Sequence, residues 1–304
     1  MLSVTMTRSE RRNLPALGIA TFIGNLILMS LISALVKTLS LSYPLGEILL
    51  IRFVFAMLFF WMILFLTAGI GALFTKRPLD HTIRSFSGIF SLGMFYYAVT
   101  VIPIADATAI AYAAPIFITL FSIYFLDETI GLRRWCAVIM GFIGVVLIAQ
   151  PGGSDWNTGF AAAVGSAVTG ALVAIWLRRL SSSEKSVSIG LYYNSTGTLV
   201  CIVWIAFSGW LLPQGNDLFL ILVFGLMCAA QQWLLTISFR YAQASLLAPF
   251  EYLAMIFAAI VGFVFWDQVP VLTTWLGAVV IAGSGLFIFI RKQQRIDLDG
   301  NQGH

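Results

Sequence analysis

Residues 14–40 read LPALGIATFIGNLILMSLISALVKTLS, and residues 155–181 read DWNTGFAAAVGSAVTGALVAIWLRRLS. Each stretch holds an apolar run of about 20 residues, the length that a helix needs to cross the hydrocarbon core of a membrane. The two stretches also match at a fixed offset of 141 positions. The paired residues are Gly18 and Gly159, Ala20 and Ala161, Gly24 and Gly165, Lys37 and Arg178, and Ser40 and Ser181.

The rest of the chain has the same apolar character. Apolar residues make up 60% of the 304 residues and charged residues only 10%, whereas soluble domains carry about 25% charge. The sequence therefore predicts an all-α integral membrane protein with ten transmembrane helices and little outside the bilayer. The predicted spans are 14–36, 45–68, 85–102, 106–126, 134–150, 158–177, 187–211, 218–238, 246–266 and 272–290.

Basic residues predict the orientation of these spans. Fifteen of the seventeen Lys and Arg residues fall in every second gap between spans, and cytoplasmic loops are the ones that hold such residues. We therefore expect a multi-pass protein of the cell (inner) membrane with both termini cytoplasmic. The two exceptions are Lys37, in a gap on the outer side, and Arg52, inside the second span.

A second set of matches extends the repeat to the end of each half. At an offset of 140, Tyr112, Phe125, Asp127 and Trp135 fall on Tyr252, Phe265, Asp267 and Trp275. The repeating unit has five spans, residues 1–150 and 151–295, followed by a polar tail, 296–304. Because five is odd, the second copy must enter the membrane from the opposite side. The sequence therefore predicts two inverted five-helix repeats, a construction found in secondary transporters.

Four acidic or basic residues fall in or next to predicted spans, where charge is costly and indicates function. Glu47 is close to the outer surface, so it is either interfacial or part of a pathway. Arg52 lies deeper and either faces a cavity or forms an interhelical charge pair. We expect Asp106 to be an exposed helix N-cap. Glu251 follows Pro249; it either binds a cationic group or a proton, or pairs with a basic residue such as Arg240.

Amide and aromatic side chains share the middle zones of the spans with these charges. Buried amides need partners or water, and a cavity lined by rings with a few polar groups suits a small organic solute. Packing is the alternative for each ring taken singly. The predicted lining residues are Glu251, Tyr252, Arg52, Tyr96, Tyr112, Gln231, Gln232 and Trp233.

Other functional classes have little support in the sequence. The two histidines, His81 in a predicted loop and His304 at the terminus, cannot form a buried catalytic cluster. No phosphate-binding Gly-x-x-x-x-Gly-Lys-Ser/Thr motif is present, so ATP-driven transport would need a separate subunit. We expect no enzyme activity, no cofactor, no metal and no nucleic-acid partner. The expected partners are the lipid bilayer and a small organic solute, with protons as a possible coupling ion and the oligomeric state open.

Nearly the whole chain resembles the EamA family of the drug/metabolite transporter superfamily. The first half carries Lys37, Pro44, Glu47, Arg52, Pro115, Asp127-Glu128 and the Gly141/Gly144 pair; the second carries SLLAPFEY at 245–252, DQVP at 267–270 and Gly277 to Gly285. The family pattern has Gly-Glu before the last helix of each half. Here the second half has Asp267-Gln268, which puts a role for that glutamate in doubt.

The resemblance implies alternating-access transport of small organic solutes, such as amino acids, nucleotide-like metabolites or vitamins. We expect a secondary transporter of an amphipathic metabolite in which the two repeats rock around a midplane cavity. The alternatives are a passive channel and an integral-membrane enzyme. Neither the substrate nor the direction of transport follows from the motifs.

Overall fold

The protein is an α-helical bundle in a computed structural model that describes residues 15–69, 73–126, 132–150, 156–181, 183–213, 215, 217–242 and 244–301. Arg8, Arg11, Arg12 and the pair Asp127-Glu128 lie outside the described residues. The helices are α1 (Pro15–Leu39), α2 (Leu45–Ile63), α3 (Pro78–Val101), α4 (Ile104–Ala111), α5 (Ala114–Leu126), α6 (Leu132–Ala149), α7 (Thr158–Ser181), α8 (Ser186–Ser208), α9 (Asp217–Tyr241), α10 (Ala244–Leu247), α11 (Leu253–Trp266) and α12 (Leu272–Asn301).

These helices form ten rods that correspond to the ten predicted spans. Six are long and apolar enough to cross a membrane: α1, α2, the α4–α5 rod, α7, α8 and α9. Three shorter apolar helices, Trp135–Ala149, Phe250–Trp266 and Leu272–Phe287, correspond to the fifth, ninth and tenth spans. The third span is longer than predicted because α3 begins at Pro78 rather than near 85. Its early turns contain Asp80 and Arg84 and are therefore less apolar.

Two rods are broken at matching places in the two halves. The α4–α5 rod is interrupted at Tyr112 and Ala113, just before Pro115. The α10–α11 rod contains a 3₁₀ segment, Ala248–Tyr252, with Pro249 in its first turn. Proline has no N–H to donate and its ring disfavours the preceding helical turn. A proline therefore accounts for each break. The first break begins with Tyr112, and the second ends with Tyr252.

Helix pairs pack in a regular pattern. The most extensive contacts are those of α3 with α7, α1 with α9, α6 with α12 and α2 with α8. Smaller contacts join α2 with α9 and α3 with α8, as well as α7 with α4 and α5, and α1 with α11. A main apolar core runs between these helices and includes Val36, Phe53, Tyr96, Ile110 and Phe224.

Polar contacts identify the two ends of the bundle. We call the end at which α1 begins the proximal end and the end at which α1 finishes the distal end. Distal contacts are Lys37 Nζ to Ile102 O (2.9 Å), Glu47 Oε1 with Leu211 N (2.7 Å), Tyr43 Oη to Asp217 Oδ2 (2.9 Å), Thr274 Oγ1 to Asp106 Oδ1 (2.7 Å) and Gln150 Nε2 to Thr273 Oγ1 (3.0 Å). The proximal contacts are Thr75 Oγ1 to Glu184 Oε1 (2.7 Å), Tyr192 Oη to Leu73 O (2.7 Å) and a longer one from Arg77 Nη1 to Arg179 O (3.4 Å).

These contacts correct two expectations and locate a third residue. Asp106 is buried and accepts a hydrogen bond from Thr274, so the exposed N-cap prediction is wrong: α4 already begins at Ile104 after Pro103. Glu47 is buried within the protein at the distal end and accepts a hydrogen bond from the backbone N–H of Leu211. His81 lies in the first turns of α3 and not in a loop, because Pro78 starts that helix early.

The backbones of α6 and α12 approach closely at two glycines. A Cβ built on Gly144 would lie 2.9 Å from the carbonyl oxygen of Gly277, and one on Gly277 would lie 2.6 Å from that of Gly144. Membrane helices associate through such small-residue contacts because lipid gives no hydrophobic drive between them. Gly283, on the same helix α12, differs: a Cβ there meets nothing within 4 Å.

We predict that Gly144→Ala destabilises the protein by about 1–3 kcal/mol, the usual cost of overpacking a close contact. Thermal unfolding of the purified protein measures the effect. Gly283→Ala is the matched control and should leave the melting temperature unchanged or slightly raised, since alanine is the better helix former. Equal effects of the two substitutions would contradict the close α6–α12 contact.

Candidate functional site

A cavity of about 320 Å³ lies among α1, α3, α7, α8 and the break between α4 and α5. It extends from the middle of the bundle towards the proximal end. Its polar and aromatic lining residues are Arg84, Ser91, Phe95, Tyr112, Ser166 and Tyr193. Mostly apolar walls with a few convergent polar groups are typical of sites for small organic molecules.

Arg84 is the charged residue of this lining. Its guanidinium carbon lies 4.0 Å from the centroid of the Tyr193 ring, a cation–π contact. Gly88 makes the arrangement possible, because a Cβ there would lie 2.7 Å from Cε2 of Tyr193 and 3.0 Å from Nη1 of Arg84. Two guanidinium nitrogens, Nε and Nη1, are buried and find no hydrogen-bond partner among the described residues.

Two serines form a polar spot on the α3–α7 wall. The Ser91 hydroxyl donates to the backbone carbonyl of Ser166 at 2.9 Å, and the two hydroxyl oxygens are 3.5 Å apart. The carbonyl contact leaves the lone pairs of the Ser91 oxygen available to a donor. The cavity therefore presents hydroxyl groups beside its cation.

Tyr112 and Tyr252, equivalent residues of the two predicted repeats, meet at the helix breaks. Their ring centroids are 6.3 Å apart with an interplanar angle of 52°. Tyr112 lines the cavity, and the Tyr252 hydroxyl is close to Gly285 of α12, where a Cβ would collide with it. The two broken rods thus contact each other through the residues that the repeat predicts to be equivalent.

Glu251 lies in the 3₁₀ segment next to Tyr252 and is partly buried. Among the residues whose side chains the structure describes, which leave out Arg133, Arg134 and residues 288–301, neither a cation nor a hydrogen-bond donor is bonded to its carboxylate. The alternative pair with Arg240 is absent; Arg240 lies instead 5.8 Å from the centroid of the Tyr241 ring. Glu251 is therefore an interior carboxylate that none of the described side chains neutralises.

Arg52 and Tyr96 form a second polar pair between α2 and α3. Nη1 of Arg52 donates to Tyr96 Oη at 2.9 Å and contacts Sγ of Cys228 at 3.8 Å. The interhelical charge pair considered for Arg52 is not formed with any described acidic residue; a phenol and a thiol are its partners. Arg52 also lies within electrostatic range of Tyr193, so this pair is next to the cavity wall.

The three residues predicted on α9 are separated by the structure. Gln231 is buried, and its Nε2 donates to Asn25 Oδ1 at 3.0 Å, which links α9 to α1. Gln232 is partly exposed. Trp233 is 53% exposed on the outer surface, because residues two apart on a helix point about 200° apart. None of the three is among the described lining residues of the cavity, where Tyr112 is the predicted residue that the structure places.

Arg84, Ser91 and Ser166 are cavity residues that sequence reasoning missed. Hydropathy predicts that the third span begins at residue 85, which makes Arg84 a cation of the preceding cytoplasmic loop. The signal that could have found it is Pro78, since proline favours the first turn of a helix. A helix that begins there contains Arg84 two turns in.

The helical fold and its interior cavity belong to a membrane protein that handles small molecules. The EamA-like transporter family matches residues 16–150 and 157–290. The chain is therefore a member of the EamA-like transporter family, as its resemblance to that family predicted. The two matched segments lie within the two predicted repeats, 1–150 and 151–295.

Similar proteins are transporters with different named solutes. The chain is 28% identical over 277 residues to the S-adenosylmethionine uptake transporter of Rickettsia felis, covering 91% of this chain and 94% of that protein. It is 29% identical over 210 residues to the riboflavin transporter of Vibrio cholerae, covering 68% and 70%. It is 29% identical over 254 residues to the pseudopaline exporter CntI of Pseudomonas aeruginosa, covering 83% and 88%.

We predict that Tyr96→Phe lowers the stability by about 1.5–3 kcal/mol, because the Arg52 guanidinium loses its hydroxyl acceptor. Adding Arg52→Met to that variant should recover part of the loss, since no unpaired buried charge remains. Thermal unfolding of the single and double variants measures both effects.

Tyr97→Phe is the matched control, because Tyr97 is exposed and bonds to Thr158 at 2.8 Å near the bundle surface. Its effect should be much smaller. A loss at Tyr97 as large as the loss at Tyr96 would contradict the importance of the Arg52–Tyr96 bond.

Proposed function

We propose that the protein is a secondary transporter of a small amphipathic organic metabolite that works by alternating access. The observation that carries this proposal is the interior cavity between helices of the two halves, with apolar walls, hydroxyls and one cation. The named functions of the relatives support transport of a small solute, and their differing solutes leave its identity open.

The packing pattern supports ten crossings arranged as two inverted repeats. If the two halves are equivalent, each of the first five rods corresponds to the rod five places later, so α3 corresponds to α9 and α1 to α7. The contact of α3 with α7 then corresponds to that of α9 with α1, and both are among the most extensive. The contacts of α6 with α12 and of α2 with α8 map onto themselves, and that of α2 with α9 maps onto α8 with α3. The paired helix breaks follow the same rule. Such symmetry gives two related conformations with opposite ends open.

The distribution of polar contacts supports rocking between those conformations. Among the described residues, six side-chain contacts of 3.0 Å or less join distant segments at the distal end and two do so at the proximal end, where residues 1–14, 127–131 and the side chains of 288–301 are not described. The cavity extends towards the proximal end. With both termini cytoplasmic, the proximal end would face the cytoplasm. The structure then corresponds to an inward-facing state, and opening the other side requires the distal contacts to separate.

Size and lining favour a metabolite with an aromatic or apolar body. A cavity of about 320 Å³ is at the small end of ligand pockets. Phe95, Tyr112 and Tyr193 supply ring surfaces, while Arg84 and Ser91 supply polar contacts. A bare inorganic ion would leave the ring surfaces without a function.

Counterflow in proteoliposomes tests the proposal. Vesicles preloaded with an unlabelled metabolite should accumulate the labelled form above its external concentration, because only a carrier exchanges solute through one alternating site. Labelled solute that merely equilibrates would indicate a channel. Chemical conversion of the solute would indicate an enzyme.

We predict that Glu251→Gln abolishes any dependence of transport on a proton gradient while leaving exchange of solute for solute. A carboxylate without a fixed cation can take up and release a proton, whereas an amide of the same shape cannot. Uptake into proteoliposomes with and without an imposed pH gradient measures the difference. Asp267→Asn, at the distal end of α11, is the acidic control. Full gradient-dependent transport by Glu251→Gln would remove Glu251 from coupling.

A further inference from the structure

We propose that Arg84 binds an anionic group of the transported solute, a carboxylate or a phosphate, and so restricts the substrate class to organic anions or zwitterions with an apolar body. The inference rests on the proposed transport function, and it assigns a chemical role to one side chain of the cavity. The geometry that carries it is a buried guanidinium that borders the cavity without a counter-ion.

Unsatisfied polar atoms concentrate at this place. Seven buried side-chain nitrogen and oxygen atoms lack a hydrogen-bond partner in the part of the chain that the structure describes, and five of them belong to His81, Arg84 and Ser85 of α3. Buried polar atoms in native proteins are nearly always paired, so a local group of unpaired ones requires an explanation. An anion in the adjoining cavity that draws the guanidinium of Arg84 away from the Tyr193 ring would supply partners for Nε and Nη1, which are covered in the empty protein.

The charge of Arg84 makes an anion the fitting partner. An arginine side chain is always protonated in proteins and has five N–H donors but no acceptor. The described residues place no carboxylate within ion-pair distance of Arg84, and its main contact is the face of Tyr193 at 4.0 Å. Arginine forms two parallel hydrogen bonds with planar carboxylates and with phosphates, which lysine cannot do.

The basic residue just before α3 has a different environment. Arg77, seven residues earlier, is exposed and lies 3.8 Å from Asp80 Oδ2. It is a surface cation with its own partner and contributes little in such a setting. Arg77 is therefore a control that matches Arg84 in charge but does not border the cavity.

The remaining lining determines what accompanies the anion. Ser91 and Ser166 lie one to two turns further along the wall and can bind a second polar group, while Phe95 and Tyr112 surround the middle of the cavity with rings. The solute thus needs a negatively charged end near Arg84 and an apolar or aromatic part directed towards Tyr112.

An anionic lipid headgroup has the same chemistry as the charged end of such a solute. The cavity extends from Arg84 to the middle of the bundle, which favours a solute with an apolar body over a lipid headgroup. An experiment distinguishes the two.

The full-length protein is placed in nanodiscs of phosphatidylcholine alone or with phosphatidylglycerol. The probes are benzoate and phenyl phosphate as anions, benzamide as the neutral match of benzoate, and benzylamine as a cation.

The measurement is the ligand-dependent rise in melting temperature of the wild-type protein, Arg84→Gln, Arg84→Lys and Arg77→Gln. Binding to the native state raises stability by an amount that grows with the ratio of ligand concentration to Kd. We expect benzoate and phenyl phosphate, but not benzamide or benzylamine, to stabilise the wild type in phosphatidylcholine alone. Loss of charge-assisted hydrogen bonds should weaken apparent affinity roughly 10- to 100-fold in Arg84→Gln, less in Arg84→Lys and not in Arg77→Gln.

The melting temperature without probe separates a binding role from a structural one. If Arg84 binds solute, its replacement by glutamine removes an unpaired buried charge and leaves the empty protein as stable as before or more so. A large loss of stability in the empty variant would overturn the proposal. Stabilisation by phosphatidylglycerol with no response to the soluble anions would also overturn it, because the anion would then be lipid.

Counterflow of labelled benzoate separates this inference from the proposed function. Carrier exchange of benzamide or benzylamine that is insensitive to Arg84→Gln would support transport and contradict the anion site. A second outcome is that anions bind in an Arg84-dependent way but that neither the probes nor cell metabolites undergo carrier exchange. That outcome would support the anion site and contradict the transport function. Arg84-dependent exchange of benzoate would support both.

Discussion

Inside a bilayer a polar side chain has no water to bind, so its place in the fold depends on the partner that another helix supplies. Much of this bundle is organised by that constraint. Glu47 accepts a hydrogen bond from the backbone N–H of Leu211, and Asp106 accepts one from the hydroxyl of Thr274. Gln231 donates one to the amide oxygen of Asn25. Each pair joins segments more than 160 residues apart in the chain and so holds the two halves together. Arg84 and Glu251 lack such a partner among the described side chains, and so do the polar atoms of His81, Ser85 and Trp176. Of these residues, Arg84 lines the cavity.

Polar groups that are paired within the bundle stabilise the fold, whereas unpaired polar groups are available to bind a solute. A buried pair that satisfies itself has little free energy to give to a solute, because binding would first have to break it. An unpaired group loses nothing when a solute arrives. This reasoning puts Arg52, with its phenol and thiol partners, in a supporting position beside the wall. By the same reasoning, Arg84 and the two serines between α3 and α7 are the residues that we propose form polar contacts with a solute.

The sequence predicted the helical rods well and the site only in part. Apolar run length and proline positions are local properties, so the spans, the membrane class and the family resemblance could be read directly. Which face of a helix points inward depends on packing between helices. Tyr112 lies at the cavity as predicted, whereas Trp233 points outward because Gln231, two residues earlier, lies on the inner face of α9. Arg84 was missed for another reason. Loop charge counts treat a cation near a span boundary as solvent-exposed, and α3 begins two turns before the boundary that hydropathy suggested.

The proposed inward-facing state has a thermodynamic consequence. A carrier that rests with its distal end sealed binds solute at lower concentration from the proximal face. Yet at equal concentrations on the two faces it produces no net flux, because a resting preference does no work. Asymmetry of the fold can therefore set the half-saturation concentration on each face but never the direction of transport. Direction comes from gradients and metabolism, which is consistent with a single family containing both an uptake transporter and an exporter.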